Sequence, residues 1–530
     1  MTSGQALARA GLVVSGAFLV SRVLGYVRIV VIGHMVGQGP VTSADLDAFF
    51  AAFRLPDLIF QLVAAGALSS ALIPLVSGLL AKDEEQRAWR MISTVINLML
   101  IALAALAITL FIFAPTVVRA ITPGFDPSQL DRTVELTRIM VLGSIFLALG
   151  AVATSVLQAA DRFVASAVAP IVYNLAIIGA ALLLGPTLGV EALAIGVVVG
   201  SLGHVLVQVR PLGRLGFRYE PRIDGDDPLA RQALILMVPR ALGLGATQIT
   251  FIVVTALAST LGVGVVSDFN FAFTLMQIPL GIIGVPLGII VLPSLSREAA
   301  AGHETAFVAL LTRSLRLLVY VMVPIAMLTA VLRQQVVDLL FGGSRIGDQD
   351  LSLIATTLAG FLVGLAAHAM IAVLARAFYA RQDTLTPVLA AVGAVVINST
   401  LAVVFVGPLH LGLGGIALAI AIAAWVEAAA LLVMLRIQLP HFHLAGLGRV
   451  SIEAILGSML ASAAAIGLLQ VLGGLLGLDL RWPAQVLEIS VVSAGFALVY
   501  AVVSLALRIP ELPTIVRLMI DALRRLPARP

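Results

Sequence analysis

Met91–Ala114 reads MISTVINLMLIALAALAITLFIFA, 24 consecutive residues without a charge. A helix needs about 20 such residues to cross the hydrocarbon of a bilayer, so the segment is read as a membrane span. Working outward, the same signature recurs at 10–36, 48–80, 137–158, 164–185, 188–208, 231–260, 267–294, 313–333, 351–378, 386–406, 411–435, 450–472 and 486–507, fourteen spans in all. Composition agrees: of 530 residues 60% are hydrophobic and 11% charged, where a soluble protein has about 45–50% and about 25%. The expected fold is an all-α polytopic membrane protein of about fourteen transmembrane helices.

Two absences exclude whole classes of chemistry. There is no cysteine, which removes thiol nucleophiles, iron–sulfur clusters, thiolate zinc sites and disulfides. The single lysine, Lys82, follows Ala81, so the Gly-Lys-Ser/Thr of a P-loop ATPase cannot be assembled. Work must come from an ion gradient, the membrane potential, a partner or the substrate's own gradient. The formal charge of +4 does not point to nucleic acid, because the arginines sit mostly in short loops beside the spans. The first apolar run contains Arg22 and Arg28 and ends without a small-residue cleavage site, so it is not read as a secretory signal.

The basic residues orient the chain. Of 32, four fall within spans, 22 lie on the side of the N-terminus, and six lie opposite: Arg119, Arg132, Arg138, Arg333, Arg345 and Arg481. That asymmetry follows the positive-inside rule and puts both termini in the cytoplasm.

The chain also repeats. Ser21-Arg22-Val23-Leu24-Gly25 recurs as Pro239-Arg240-Ala241-Leu242-Gly243, and Ala52-Phe53-Arg54-Leu55 as Ala272-Phe273-Thr274-Leu275. Pro74 matches Pro293, Asp161 matches Asp383, Asn174 matches Asn398 and Gly189 matches Gly412, with an offset that drifts only from about 218 to 224. Two six-helix lobes in parallel repeat, 1–222 and 223–438, are therefore expected. An additional helix pair at 439–510 and a basic cytoplasmic tail at 511–530 follow. Parallel repeats are a transporter architecture, with the site at their interface.

Arg22, Arg28, Arg54 and Arg240 are the intramembrane cations. Each costs about 2.5–3.5 kcal/mol at a helix centre on insertion scales, so a water-filled cavity or anionic partners should accompany them. The competing reading is that they snorkel to the interface. Arginine suits a phosphate-bearing ligand, because its planar fork pairs two oxygens and stays charged. Asp57, Asp268, Asp383 and Glu427 are the acids that can pair with these arginines or take a coupling cation. His34, His204 and His368 are isolated, and His441 and His443 lack a third ligand, so no metal site is expected. No paired carboxylates, triad or metal cluster is placed for catalysis, and the chain is not read as an enzyme.

Ser21-Arg-Val-Leu-Gly-Tyr-Val-Arg28, Asp47-Ala-Phe-Phe-Ala-Ala-Phe-Arg-Leu-Pro56 and Gly66-Ala-Leu-Ser-Ser-Ala-Leu-Ile-Pro74 resemble the bacterial MurJ (MviN) family. Pro286-Leu-Gly-Ile-Ile-Val-Leu-Pro-Ser-Leu-Ser296 and Arg376-Ala-Phe-Tyr-Ala-Arg-Gln-Asp-Thr-Leu-Thr-Pro387 extend the likeness over essentially the whole chain. The family belongs to the multidrug/oligosaccharidyl-lipid/polysaccharide exporter superfamily. The resemblance implies a flippase for lipid II, the undecaprenyl-diphosphate-linked peptidoglycan precursor, in the bacterial cytoplasmic membrane. It also implies two lobes alternating about a cationic cavity, with Arg22, Arg28 and Arg54 on the family's basic positions and no cofactor. Membrane lipids, a coupling cation and cell-wall synthesis proteins are the partners it suggests. This chain departs from the family pattern at Ile29, Phe60-Gln61, Ala65 and Phe273-Thr274, where charged residues are usual; Arg240 is the candidate substitute. The alternatives are export of another undecaprenyl-linked saccharide, cation-coupled drug antiport, and a non-transporting scaffold of the same fold.

Overall fold

The computed structural model describes residues 3–37, 40–63, 67–225, 227–476, 482–515 and 517, and among them there is no strand. In order the helices are α1 (Ser3–Gly33), α2 (Ser43–Val63), α3 (Ala67–Leu80), α4 (Glu85–Ile121), α5 (Pro127–Ala159), α6 (Phe163–Leu188), α7 (Glu191–Arg214), α8 (Pro228–Ser259) and α9 (Val265–Pro279). A π turn, Leu280–Gly284, joins α9 to α10 (Val285–Ala300). Then come α11 (Glu304–Val331), α12 (Arg333–Phe341), α13 (Asp348–Val363), α14 (Leu365–Ala380), α15 (Leu385–Val406), α16 (Gly412–Gln438), α17 (Ala445–Leu476) and α18 (Trp482–Ala506).

Among the described residues eleven helices are long and apolar enough to cross a membrane, twelve if α13 and α14, bent by 43°, form one span. The expected count of fourteen is not confirmed, because parts of two expected spans lie outside the described residues. The expected span 48–80 falls on α2, which carries Asp45, Asp47, Arg54 and Asp57, and on α3, with residues 64–66 between them outside the described residues. In the expected span 231–260 the side chains of 236, 238–244, 246 and 247 lie outside the described residues, and Gln248–Ser259 is found as a shorter apolar helix.

The chain divides into two compact units, Met1–Phe271 with Ser344–Ile346, and Ala272–Gly343 with Gly347–Pro530. In the first, α5 is central and packs on α2, α3, α4, α6 and α7, while α1 lies on α6 and α8 lies on α2, α3 and α4. The start of α5 is written in its sequence. Asp126 accepts from Ser128 Oγ at 2.7 Å and Gln129 N at 2.9 Å, Gln129 reaches back to Asp126 N, and Pro127 fills the first helical position. The Ser128 hydroxyl and then the Gln129 N–H hold the Asp126 carboxyl below the usual carboxylate range.

A hydrophilic connector joins α7 to α8, and it is bonded to α4 along its length. Ser93 Oγ accepts from Glu220 N at 3.0 Å, and Thr94 Oγ1 from Asp224 N at 3.2 Å. Asn97 Nδ2 donates to the carbonyls of Glu220 and Arg222, and Tyr219 donates to Asn97 Oδ1. Trp89 meets Phe217 edge to face at 5.6 Å. Residues 89, 93 and 97 recur at helical spacing, so one row of α4, with Thr94 beside it, meets the connector between Phe217 and Asp224.

In the second unit α14 packs on α10, α11 and α16, and α16 also packs on α13 and α15. The additional pair is attached through α17 to α11. There Tyr320 donates to Ser504 Oγ at 2.8 Å, Tyr500 donates to the Tyr320 carbonyl at 2.9 Å, and Arg316 pairs with Glu511 at 2.7 Å. Apolar side chains remain on the surface, with Leu183 79% and Ile437 75% exposed, as lipid-facing residues do.

The repeat is visible in the corners. Non-helical left-handed residues close equivalent turns at Asp83 and Gly302, Asp161 and Gln382, and Gly189 and Gly412. These pairs are 219, 221 and 223 residues apart. α5 likewise corresponds to α13 plus α14, whose outer bounds, Asp348 and Ala380, both lie 221 residues beyond Pro127 and Ala159.

Asp47 on α2 is fully buried. Its carboxylate accepts from Gly264 N at 2.6 Å, Ser267 N at 2.8 Å and Ser267 Oγ at 2.6 Å, capping the start of α9. Asp47→Ala strands buried donors, a loss of about 1–3 kcal/mol. Unfolding of the purified variant in detergent should begin at clearly lower temperature than wild type; an unchanged transition would refute the capping role.

Candidate functional site

The intramembrane arginines expected from the sequence fall on three helices. Arg22 and Arg28 are on α1. Arg22 sits 4.8 Å over the ring of Phe18, one turn back on the same helix. Arg28 faces a neighbour instead, its guanidinium 5.8 Å from the ring centroid of Tyr173 on α6. The α1–α6 contact is fixed beside it: Asn174 Nδ2 donates to the Ser21 carbonyl at 3.4 Å and to the Pro170 carbonyl at 3.0 Å. Arg240 lies on α8, and its side chain falls outside the described residues.

Arg54, on α2, is held by two other elements. Its Nη2 donates to Asn270 Oδ1 at the start of α9 at 2.6 Å, and its guanidinium lies 4.8 Å over the ring of Phe251 on α8. One turn further on, Asp57 accepts from Gln248 Nε2 of α8 at 2.8 Å and from the Gln61 side chain. Tyr173 is within electrostatic range of both Arg28 and Asp57. Arg28, Tyr173, Asp57, Arg54, Gln248, Phe251 and Asn270 therefore form one connected group, while Arg22 stacks within its own helix.

Among the described residues none of Arg22, Arg28 and Arg54 is ion-paired with a carboxylate. Arg28 Nε and Arg54 Nε are buried without a hydrogen-bond acceptor among those residues. Arg54 bonds to a neutral amide and lies within electrostatic range of Asp57, which itself bonds to amides. A buried donor left without an acceptor costs about 1–3 kcal/mol. An arrangement that tolerates two such donors is suited to receiving an anion with several oxygens.

The acids fall in different settings. Asp268 is buried in the first turn of α9. Asp383 lies in the turn before α15, where it accepts from Thr386 N at 3.0 Å and Thr386 Oγ1 at 2.7 Å, and from Gln438 at 3.2 Å. Burial works to raise its pKa, but these hydrogen bonds outweigh it and hold the carboxyl below the usual range. Glu427 is partly buried on α16. Among the described residues no group of three or more histidines and acids is placed to hold a metal ion.

Four of the positions where this chain departs from the charged pattern have visible roles. Ile29 is buried and apolar, Gln61 bonds Asp57, and Phe60 packs on the core of the first unit. Phe273 meets Phe361 edge to face at 5.6 Å. Ala65 lies outside the described residues. Tyr173, Gln248 and Asn270 are members of the group that the sequence reading does not single out. Attention to ionisable groups alone passes over them; a neutral amide inside an apolar run is the signal that finds Gln248 and Asn270.

Comparison with known proteins gives a consistent family. The profile described as "Lipid II flippase MurJ" matches residues 39–478. The chain is 33% identical over 438 residues to a lipid II flippase MurJ of Burkholderia cenocepacia, covering 81% of this chain and 84% of that one. Among solved structures it is similar to a lipid II flippase MurJ in an inward closed conformation, with TM-score 0.78 at 20% identity over 94% of this chain and 99% of the other. An inward-facing multidrug transporter of the MATE family, in the MOP superfamily, superposes with TM-score 0.67 at 15% identity over 81% and 98% of the two chains.

Two substitutions test the local chemistry. Asn270→Asp gives Arg54 a charged partner, which should raise the melting temperature of the purified protein while weakening its binding of anionic lipid; stronger binding would contradict the assignment. For Asp383, a depressed native pKa means its stabilising effect is complete above the unfolded value, about 3.9. It is then lost as pH falls through the native value. The melting-temperature advantage of wild type over Asp383→Asn should accordingly be constant near neutrality and shrink toward zero in acid.

Proposed function

The chain belongs to the MurJ lipid II flippase family, and from that premise we infer that it moves lipid II from the inner to the outer leaflet of the bacterial cytoplasmic membrane, its diphosphate taken by Arg22, Arg28, Arg54 and Arg240. The observation that carries the arginine assignment is that, among the described residues, Arg22, Arg28 and Arg54 are not ion-paired with a carboxylate, and two of them have buried Nε–H donors lacking acceptors. A diphosphate supplies both the negative charge and the oxygens.

Movement follows from differential binding. A ligand shifts a two-state equilibrium only by the difference in its affinity for the two states. Two parallel six-helix lobes, 1–222 and 223–438, rock about the site, so the head group faces one side and then the other. The prenyl tail stays in hydrocarbon throughout, against membrane lipids and the additional pair at 439–510. The termini are cytoplasmic, and with them the basic tail at 511–530; most of it is outside the described residues. No covalent step is required, and the protein acts as a transporter rather than an enzyme.

The return of the empty carrier is driven by the membrane potential or by a coupling cation. Asp57, Asp268, Asp383 and Glu427 are the candidate carriers of that cation. Glu427 is the favoured one, because among the described residues it has neither a hydrogen bond nor an ion pair. Cell-wall synthesis proteins would consume the lipid delivered to the outer leaflet. A second reading, export of a different undecaprenyl-diphosphate-linked saccharide, is favoured by Phe60, Gln61 and Thr274. These leave the diphosphate fewer cations than the family usually offers.

Complementation decides between them. In a bacterium depleted of its own lipid II flippase, this chain should restore growth, and an Arg22→Ala/Arg28→Ala double variant present at equal level in the membrane should not. Rescue by both chains would remove the arginines from the mechanism. Rescue by neither would move the substrate to another lipid-linked saccharide.

A further inference from the structure

We propose that Tyr173 is the positioning residue for Arg28: its ring fixes where that guanidinium presents its free Nε–H to a diphosphate-bearing ligand, and its phenol keeps Arg28 from pairing with Asp57. The inference deepens the lipid II reading and rests on it for the nature of the ligand.

Three observations converge. The first is contact: the Arg28 guanidinium lies over the Tyr173 ring at 5.8 Å, within the range of a cation–π interaction, and the two side chains are hydrogen-bonded. The second is that the ring has a fixed backing. A Cβ added at Gly200 of α7 would come within 2.8 Å of the Tyr173 carbonyl oxygen and 3.1 Å of its Cδ2. Only glycine lets α6 and α7 approach this closely, and the ring has no room to retreat. On the other side the next residue, Asn174, bonds to the Ser21 carbonyl of α1. Tyr173 thus stands on a segment of α6 that is anchored to both α1 and α7.

The third observation is the charge around it. Tyr173 feels both Arg28 and Asp57, yet among the described residues those two are not ion-paired. Asp57 is occupied by Gln248 and Gln61, and Arg28 Nε is left without an acceptor. A direct Arg28–Asp57 pair would satisfy the guanidinium internally and cancel the charge a diphosphate needs. An aromatic ring with one hydroxyl suits a spacer between them. Its face attracts the cation, its bulk separates the two charges, and it brings no charge of its own.

The test is a set of binding measurements on the full-length chain in lipid nanodiscs, with lipid II and undecaprenyl monophosphate as probes and melting temperature as a check on folding. Tyr173→Leu should weaken lipid II binding roughly ten-fold, and Tyr173→Phe, which keeps the ring, by no more than about three-fold. In an Arg28→Ala background Tyr173→Leu should cost nothing further, because its effect passes through Arg28. Adding Asp57→Asn to Tyr173→Leu should recover most of the lost affinity, an outcome that a purely structural role would not produce. Should Tyr173→Leu fail to fold, Tyr173→Gln takes its place in the same comparisons. Unchanged binding by Tyr173→Leu, or a loss that adds fully to that of Arg28→Ala and is not recovered by Asp57→Asn, would overturn the proposal. Wild type binding the monophosphate but not lipid II would overturn the substrate reading alone, and the same variants measured on the monophosphate would then decide Tyr173.

Discussion

Helix α2 brings four charged residues into a largely apolar molecule, and each of them meets partners on other parts of the chain. Asp45 accepts from Thr42 and pairs with Arg132 of α5. Asp47 caps α9, Arg54 bonds Asn270 and lies on Phe251, and Asp57 bonds Gln248 and Gln61. Charges in a low-dielectric interior demand partners, so the register of α2 against α5, α8 and the start of α9 follows from where those partners are. α8 packs with α2, α3 and α4, although the sequence repeat aligns α8 with α1.

Much of the fold is legible in the sequence because hydrocarbon selects helices so strictly. Apolar windows locate nearly every long helix, and the recurring motifs locate the repeat. The count stands at eleven or twelve among the described residues, because residues 64–66 between α2 and α3 and side chains in part of α8 lie outside them. The candidate site is legible only in its cations. Arg28 and Arg54 can be read from sequence, but Tyr173, Asn270 and Gln248, which determine how those cations are held, cannot. Nothing in a single chain says which aromatic among many will meet an arginine from another helix. Asp383 shows the converse. Its spacing to Thr386 is that of a turn carboxylate meeting a backbone N–H three residues on, a pattern available in the sequence beside the ion-coupling one.

The corners of the two halves carry a quieter lesson about the repeat. Asp83, Asp161 and Gln382 adopt left-handed backbone conformations that side chains seldom take. Gly302 occupies the place equivalent to Asp83, and Gln382 the place equivalent to Asp161. Backbone geometry has been kept while the residue supplying it has changed. Matching by side chain pairs Asp161 with Asp383, one residue away from its geometric equivalent, because identity of side chain and equivalence of corner are different things.

The connector between α7 and α8 is better understood by its free length than by its sequence. A free linker of that size would act as slack, letting whatever it joins drift by several residues' reach. Here residues 217–224 are stitched to α4 by side chains of Ser93, Thr94 and Asn97, which leaves only Gly225 to Asp227 before α8 begins at Pro228. The operative tether is therefore a few residues long. Motion at the top of α8 is geared directly to α4. Residues inserted before Asp224 would bulge harmlessly, whereas the same residues inserted after it would feed slack into the machine itself.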